Sequence, residues 1–418
     1  MFYQTQPYLA LSKIKDQNLA DAGKRQYFWA KAHMKILTDS IIHMKKSRPL
    51  KNTTIGFCLQ ITKETAVLLM GVKELGANVV CCGGNPLTTQ DDIAAFLESQ
   101  GVTVYAWSNQ TTPEYHWCQN QVLKHKPNII TDDGGDLNIL AHKSKLKILG
   151  ATEETTTGVT RYHSMEKKGK LLYPIIAVND AKTKMMFDNQ YGTGQSTIDG
   201  FLQAMNLLFA SKRVVVSGYG WLGKGVAKKC AGMGAKITVT EVDPIKALEA
   251  HMDGYEVMQM SQAAKLGDIF ITCTGMRDII TKSHILSMKD GAVLGNVGHF
   301  DVEIDAKFLL EKSKSVRQVR PNLDECILHT NKKIYLVSKG RVANLIASEG
   351  HPPEVMAMSF SNQLYCILYI LKNHKKLKPQ VYPVPEEIDY SVAKNALSSM
   401  GVKIDKLTPA QITYSTSW

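Results

Sequence analysis

Short apolar runs alternate with amphipathic stretches along most of this chain. Residues 19–46 read as helix, with Asp21 early and Lys45 and Lys46 late, the order that the helix dipole favours. Strand-like Thr54–Leu59, Asn78–Cys82, Val102–Ala106 and Asn128–Thr131 then alternate with helical patterns over Glu64–Leu75, Thr89–Gln100 and Thr112–Lys124. Such alternation predicts a parallel α/β sheet. The strand at Asn128–Thr131 runs into Asp132-Asp133-Gly134-Gly135-Asp136. Carboxyl ends of strands are where open α/β sheets gather ligands.

A second α/β set is expected from about 193 to 350. Apolar Val214–Val216 leads into Gly218-x-Gly220-x-x-Gly223, a helical pattern follows from Lys224 to about Met233, and a second strand, Lys236–Thr240, ends on Glu241. This is a βαβ unit carrying a dinucleotide fingerprint. Gly218 permits the tight turn, Gly220 lets a pyrophosphate approach the backbone, and Gly223 allows close helix–strand packing. A carboxylate at Glu241 takes ribose hydroxyls and repels a 2′-phosphate, which favours NAD over NADP. Further strands are expected at Ile269–Thr272, Ala292–Asn296 and Lys333–Val337. His351-Pro352-Pro353 marks a break, Glu354–Leu371 a long helix, Pro379–Pro385 a loop, Glu386–Leu397 a helix and Leu407–Trp418 a short tail. The fold class is therefore α/β, with two doubly wound domains, chain crossings near 185 and 351, a hinged cleft between them and a small helical C-terminal segment.

Composition narrows the function classes. The 418 residues are 44% hydrophobic and 21% charged, as in a soluble globular protein. No apolar run reaches transmembrane length. The opening MFYQTQPYLALSKIKDQ lacks the layout of a secretory signal, so a cytoplasmic location is expected. Eight cysteines are scattered without metal-ligand spacing, which reads as reduced thiols and no metal site. The net charge of +12 comes with short lysine clusters that lack interleaved aromatics. They read as solvated surface rather than a nucleic-acid interface.

The polar groups with most chemistry lie in GATEETTTGVTRYHSMEKKGKLLYPIIAVNDAKTKMMFDNQYGTGQSTIDG, from Gly150 to Gly200. With the Asp132–Asp136 loop, GYGWLGKG, NVGHFDVEID and EGHPPEVM, this stretch closely resembles the S-adenosylhomocysteine hydrolase family, in its shorter archaeal and deep-branching bacterial form. The resemblance runs along essentially the whole chain. It implies a substrate-binding domain over 1–185 and 351–390, an NAD-binding Rossmann domain over 190–350, and an oligomerisation segment over 391–418. It also implies a tightly bound NAD used as a catalyst. The substrate 3′-hydroxyl is oxidised to a ketone, C4′–H becomes acidic, homocysteine leaves C5′, water adds, and the ketone is reduced back. The substrate it implies is a small nucleoside thioether, with no nucleic acid or membrane partner expected, and the protein is expected to be a homo-oligomer, tetramer or dimer.

The same resemblance assigns roles residue by residue. Lys184 and Asp188 match the pair at the 3′-hydroxyl, and a closed site beside NAD is expected to lower the lysine pKa. Asp133 matches the acid or base around C4′ and C5′, and Glu154 the acid that binds the ribose hydroxyls. Asn179 and Asn189 match ordering residues, and His299 the histidine near the leaving sulfur. Thr62 and Glu64 match the adenine readers, and His351 and Met356 the adenine-side gate. Thr155, Thr156, Thr157, Asn189, Gly218, Gly220, Trp221, Leu222, Gly223, Glu241, Thr274, Val297, Gly298, His299 and Asn344 match the NAD contacts.

Four departures stand out. Gln60, in CLQITKETAVL, replaces a histidine thought to move the proton at the 5′ position. Glutamine hydrogen-bonds but does not titrate. Oxidation at 3′ is expected to survive this change and elimination and hydration to be slowed or altered, with Asp133 and His299 left to compensate. Thr193 stands where larger members carry a cysteine near NAD, and Lys246 where an asparagine often meets the cofactor ribose. The Lys/Tyr-bearing tail with which longer members reach a partner's NAD site has no counterpart before Trp418.

Overall fold

The computed structural model describes residues 12–418. The signal-free reading of the N-terminus therefore lies mostly outside the described residues. Six strands come first: β1 (Thr54–Leu59), β2 (Asn78–Gly83), β3 (Thr103–Tyr105), β4 (Ile129–Asp132), β5 (Gly150–Glu153) and β6 (Ile175–Ala177). Eight follow: β7 (Arg213–Ser217), β8 (Lys236–Thr240), β9 (Glu256–Val257), β10 (Ile269–Thr272), β11 (Ala292–Asn296), β12 (Ser315–Arg320), β13 (Leu323–Ile327) and β14 (Lys333–Val337). The last is β15 (Val381–Pro383).

The strands form two sheets. One is parallel throughout, in the order β15-β6-β5-β4-β1-β2-β3. The other runs β12-β13-β14-β11-β10-β7-β8-β9, antiparallel only at the β12–β13 and β13–β14 pairs. Each is covered on both faces, as parallel sheets require. Along β7, Val214 and Val216 enter one buried cluster and Val215 another. Along β1, Phe57 and Leu59 enter one and Cys58 another. That is the period-two alternation of a pleated strand with a core on either side.

Strand order reverses once in each sheet. In the first the reversal lies between β1 and β4, and in the second between β7 and β10. A crevice opens at such a point because the chain leaves the two neighbouring strands in opposite directions. Gln60 follows β1 and Asp133 follows β4, while Gly218 follows β7 and Cys273 follows β10. Both reversals thus carry candidate site residues.

Several expectations are corrected. The predicted helix over 19–46 is two helices, Ala20–His33 and Lys35–Met44, broken at the fully buried Met34 (φ −108°, ψ 46°). Pro379–Pro385 is not all loop, because Val381–Pro383 pairs with β6 at a sheet edge, where proline is tolerated. The tail holds a helix, Pro409–Thr416, started by a capping box between Thr408 and Gln411. The long helix after the break, Pro353–Asn373, packs on the first sheet, with Phe360, Leu364, Ile367 and Ile370 in its core. Among the described residues no helix is long and apolar enough to cross a membrane, and all eight cysteines are free thiols.

Candidate active site

A cavity of about 1050 Å³ joins the carboxyl ends of the two sheets. Every residue singled out from the sequence lines it except Gly223. Gly223 instead packs against its own turn, where an added Cβ would stand 2.0 Å from Gly218 O.

One wall is built on a π-helical stretch, Met185–Gly192, which follows a single turn at Lys182–Lys184. Such widened turns are uncommon and recur at functional sites. Here the stretch gathers Lys184, Asp188 and Asn189. Lys184 Nζ donates to Asn189 Oδ1 at 2.6 Å and lies 3.2 Å from Asp188 Oδ2 and 3.8 Å from Glu154 Oε1. Asn189 Nδ2 donates to Asn179 Oδ1 at 3.2 Å, and Thr156 Oγ1 donates to the same oxygen at 3.2 Å. Asp188 also accepts from Ser359 Oγ at 2.9 Å and is bonded to His351 Nδ1. The far ring nitrogen of His351 meets Thr193 Oγ1 and Asn344 Nδ2, each at 3.2 Å. His351 therefore ties Asp188 to the second sheet as well as lining the cavity.

Burial opposes charge on Asp188, Glu154 and Lys184 alike. For Asp188, Lys184 and His351 outweigh burial and hold the carboxyl well below its usual range. For Glu154, burial wins over Lys184 and pushes the carboxyl up to about 8. Lys184 is corrected relative to its expectation. Burial lowers it, but Asp188 and Glu154 outweigh burial and place it above the ordinary lysine value. One buried cation facing two carboxyls keeps its proton.

Asp133 lines the same cavity. Its Oδ2 accepts from Gln60 Nε2 at 2.8 Å, and its Oδ1 lies 3.9 Å from His299 Nδ1. Gly134 (φ 100°) brings the loop against that ring: a Cβ there would stand 2.5 Å from His299 Nε2. Behind the loop lie two buried acids that the sequence reading missed. Glu153 Oε1 accepts from Gly134 N at 2.8 Å and from Thr155 N at 3.0 Å, joining the loops that carry Asp133 and Glu154. Asp132 accepts from Asn138 N at 2.7 Å and Asp133 N at 3.0 Å.

Burial pushes Asp132 up to about 7 from 3.8, against those two hydrogen bonds. The folded protein then holds a proton there that the unfolded chain releases near the ordinary value. This group favours the fold at low pH, and that contribution is lost as pH rises through about 4 to 7. In Asp132→Asn, the melting temperature is expected to vary less over that window than in the native chain. An identical pH dependence in both proteins would sink the assigned ionisation.

Beyond Gln60, Thr62 caps the helix Lys63–Glu74, its hydroxyl accepting from Thr65 N. This places Glu64 in the first turn, almost fully buried. Burial raises its carboxyl above the usual value, against the pull of Lys63 Nζ at 3.3 Å from Oε1. Oε1 has no hydrogen-bond partner among the described residues. Met356 lines the same cavity.

The opposite wall is the glycine turn after β7. Gly218 has φ 96°, which glycine alone adopts without strain. Gly220 caps the helix Trp221–Gly232 with no side-chain bond to its first turn. Glu241 is fixed by Tyr219 N at 2.7 Å on one oxygen, and by Val242 N at 2.7 Å and Asp243 N at 3.1 Å on the other. Lys246 pairs with Asp243 at 3.6 Å. Below them a third buried acid, Glu303, accepts from Thr274 Oγ1 at 2.7 Å and Gly275 N at 2.8 Å. It holds the Thr274 loop beside Val297 and Gly298.

A family model described as S-adenosyl-L-homocysteine hydrolase matches residues 12–148. Another, described as the NAD binding domain of S-adenosyl-L-homocysteine hydrolase, matches residues 189–350. The chain is 53% identical over 408 residues to the adenosylhomocysteinase of Sulfurisphaera tokodaii, covering 97% of this chain and 98% of that one. It is 51% identical over 410 residues to the S-inosyl-L-homocysteine hydrolase of Methanocaldococcus jannaschii, covering 97% and 99%. A protein of the same name from Methanococcus maripaludis is 49% identical over 412 residues, covering 98% and 99%. The chain belongs to the S-adenosyl-L-homocysteine hydrolase family.

This family member is thus a hydrolase with an NAD-binding domain, and its residues fit the cofactor. An added Cβ on Gly220 would meet nothing within 4 Å, so the backbone there faces open cavity. The uncapped first turn of Trp221–Gly232 offers N–H groups to a pyrophosphate. Thr157 approaches Gly275 across the cleft, its Oγ1 3.8 Å from where a Cβ on that glycine would stand. The polar partners that sequence reasoning missed are Ser359 and Gln363. Both are fully buried on the long helix, where Gln363 Nε2 donates to Glu154. A signal existed: Ser359, Ser361, Asn362 and Gln363 form a polar cluster between the apolar halves of the helix.

Proposed function

We propose that this enzyme reversibly hydrolyses S-adenosyl-L-homocysteine to adenosine and L-homocysteine by 3′-oxidation, 5′-elimination, hydration and re-reduction. The observation that carries the reading is one cavity holding Lys184, Asp188, Glu154 and Asp133 against the glycine turn. When bound, NAD would supply the hydride acceptor and a positive charge that would favour loss of the Lys184 proton. Lys184 Nζ takes the proton of the 3′-hydroxyl, and Asn189 and Asp188 hold that ammonium in place. Glu154, kept partly protonated by burial, hydrogen-bonds the ribose hydroxyls. Asp133 moves protons at C4′ and C5′, with His299 beside it on the sulfur side. Glu241 takes the cofactor ribose, and Thr155, Thr156 and Thr157 close the cleft from the substrate side.

The first-sheet unit with the returning helix binds substrate in this reading, and the second sheet binds NAD. Residues 391–418 form an oligomerisation segment. The exposed Ile404, Leu407, Ile412 and Tyr414 support that role. Eight free thiols accord with a cytoplasmic location.

A second substrate, S-inosyl-L-homocysteine, is favoured by Glu64, because a carboxyl raised by burial can donate to a 6-oxo group when protonated. Thiol release and absorbance near the NADH band, read together on NAD-loaded protein, test both substrates. Turnover of the adenosyl compound in preference to the inosyl one is expected. Glu64→Gln is expected to weaken that preference by about tenfold, since an amide donates as well as accepts. An unchanged preference would remove Glu64 as the reader. Absence of thiol from either compound would reject the hydrolase reading.

A further inference from the structure

Gln60 has two side-chain partners, and their chemistry is complementary. Its backbone carbonyl accepts from Thr62 N at 3.0 Å and Thr65 Oγ1 at 2.6 Å, so the main chain is pinned. Its Nε2 donates to Asp133 Oδ2 at 2.8 Å. Its Oε1 accepts from the hydroxyl of Thr88. Thr88 is buried behind Gln60 and does not line the cavity. Residue 84 is glycine, and a Cβ there would stand 2.9 Å from Gln60 Nε2, so its absence leaves the amide room to turn.

An ionised carboxylate only accepts hydrogen bonds, so it requires the NH₂ end of the amide. A protonated carboxyl must donate, and then requires the oxygen end. A half-turn of the Gln60 amide supplies either. The far end of the amide needs a partner in both orientations, and a hydroxyl is suited to this because it carries one donor and two lone pairs. Thr88 donates to Oε1 in one orientation and accepts from Nε2 in the other. A buried apolar group in its place would leave the far end of the amide unsatisfied in either orientation.

We propose that Thr88 is a positioning residue that lets the Gln60 amide turn over and satisfy Asp133 in both of its protonation states. No proton crosses the amide; it re-pairs while Asp133 exchanges its proton with the substrate carbons and water. The inference rests on the reading of Asp133 as the acid and base of elimination and hydration. It explains how a non-titrating residue serves a position where the family resemblance leads one to expect a histidine.

The test uses NAD-loaded wild-type, Thr88→Val and Thr88→Ser proteins, each read twice. Reduction of bound NAD by adenosine reports 3′-oxidation, and thiol released from S-adenosyl-L-homocysteine reports the later steps. In Thr88→Val, thiol release is expected to fall about tenfold relative to NAD reduction, because an unpaired buried amide end is costly. Thr88→Ser, which keeps the hydroxyl, is expected to restore the wild-type ratio. A wild-type ratio in Thr88→Val overturns the proposal. So does an equal fall of both signals, which marks a merely structural residue, or a serine variant as poor as the valine one. A wild-type protein giving neither signal overturns the functional reading itself, and the proposal with it.

Discussion

Replacing Lys184 with alanine is expected to slow reduction of bound NAD by adenosine about 10²–10⁴-fold, the usual loss on removing a general base. The geometry leaves no substitute. Lys184 Nζ is bonded to Asn189, and the ionisable groups beside it among the described residues are the carboxyls of Asp188 and Glu154, while His351 is turned toward Asp188. The same change leaves Asp188 buried without its cation, a loss of about 3–5 kcal/mol for a broken buried pair. Lys184→Arg separates the two effects. A guanidinium keeps the charge but does not deprotonate, so this variant should fold and load NAD while remaining slow. Rapid NAD reduction by the arginine variant, followed as absorbance with adenosine alone, would end the assignment of Lys184 as base.

The glycine turn yields the second large effect, and it divides into two experiments. Gly223→Ala places a methyl 2.0 Å from the carbonyl of Gly218, a backbone atom that must shift. Overpacking of this kind costs about 1–3 kcal/mol, and it distorts the turn that faces the cofactor. Lower melting temperature and loss of co-purifying NAD are expected together. Gly220→Ala differs, because its methyl meets no protein atom within 4 Å. That variant should melt like the native chain yet retain little NAD, because the methyl occupies space reserved for the pyrophosphate. Equal NAD content in wild-type and Gly220→Ala protein would remove the turn from the cofactor site.

What could be read from the sequence follows from how local each signal is. Ile269–Thr272, Ala292–Asn296 and Lys333–Val337 were legible as strands because they are apolar and buried in a sheet interior. Ser315–Arg320 was not, because all six residues are exposed and only backbone pairing to Leu323–Ile327 makes it a strand. The break at Met34 was hidden because apolar periodicity continues through it. Asp133 and Gly218 were legible as site residues because each follows a strand within a glycine-rich turn. Glu153 and Glu303 were not, because their work is to hold backbone amides of distant loops. The raised pKa of Lys184 was missed for a related reason. Asp188 is four residues away in the chain, but Glu154 reaches Lys184 only through the fold.

The two places where the chain passes between the sheets, at Met185–Gly192 and again near His351, lie in contact. Thr193 Oγ1 is 3.2 Å from His351 Nε2, and a Cβ on Gly192 would stand 3.3 Å from that ring. The two crossings therefore meet at Asp188 and His351, so a substitution that parts this pair is expected to disturb the join between the two sheets. That meeting point is also where a buried carboxylate and an imidazole share a hydrogen bond. The join between the two sheets is therefore made of side chains that also line the cavity.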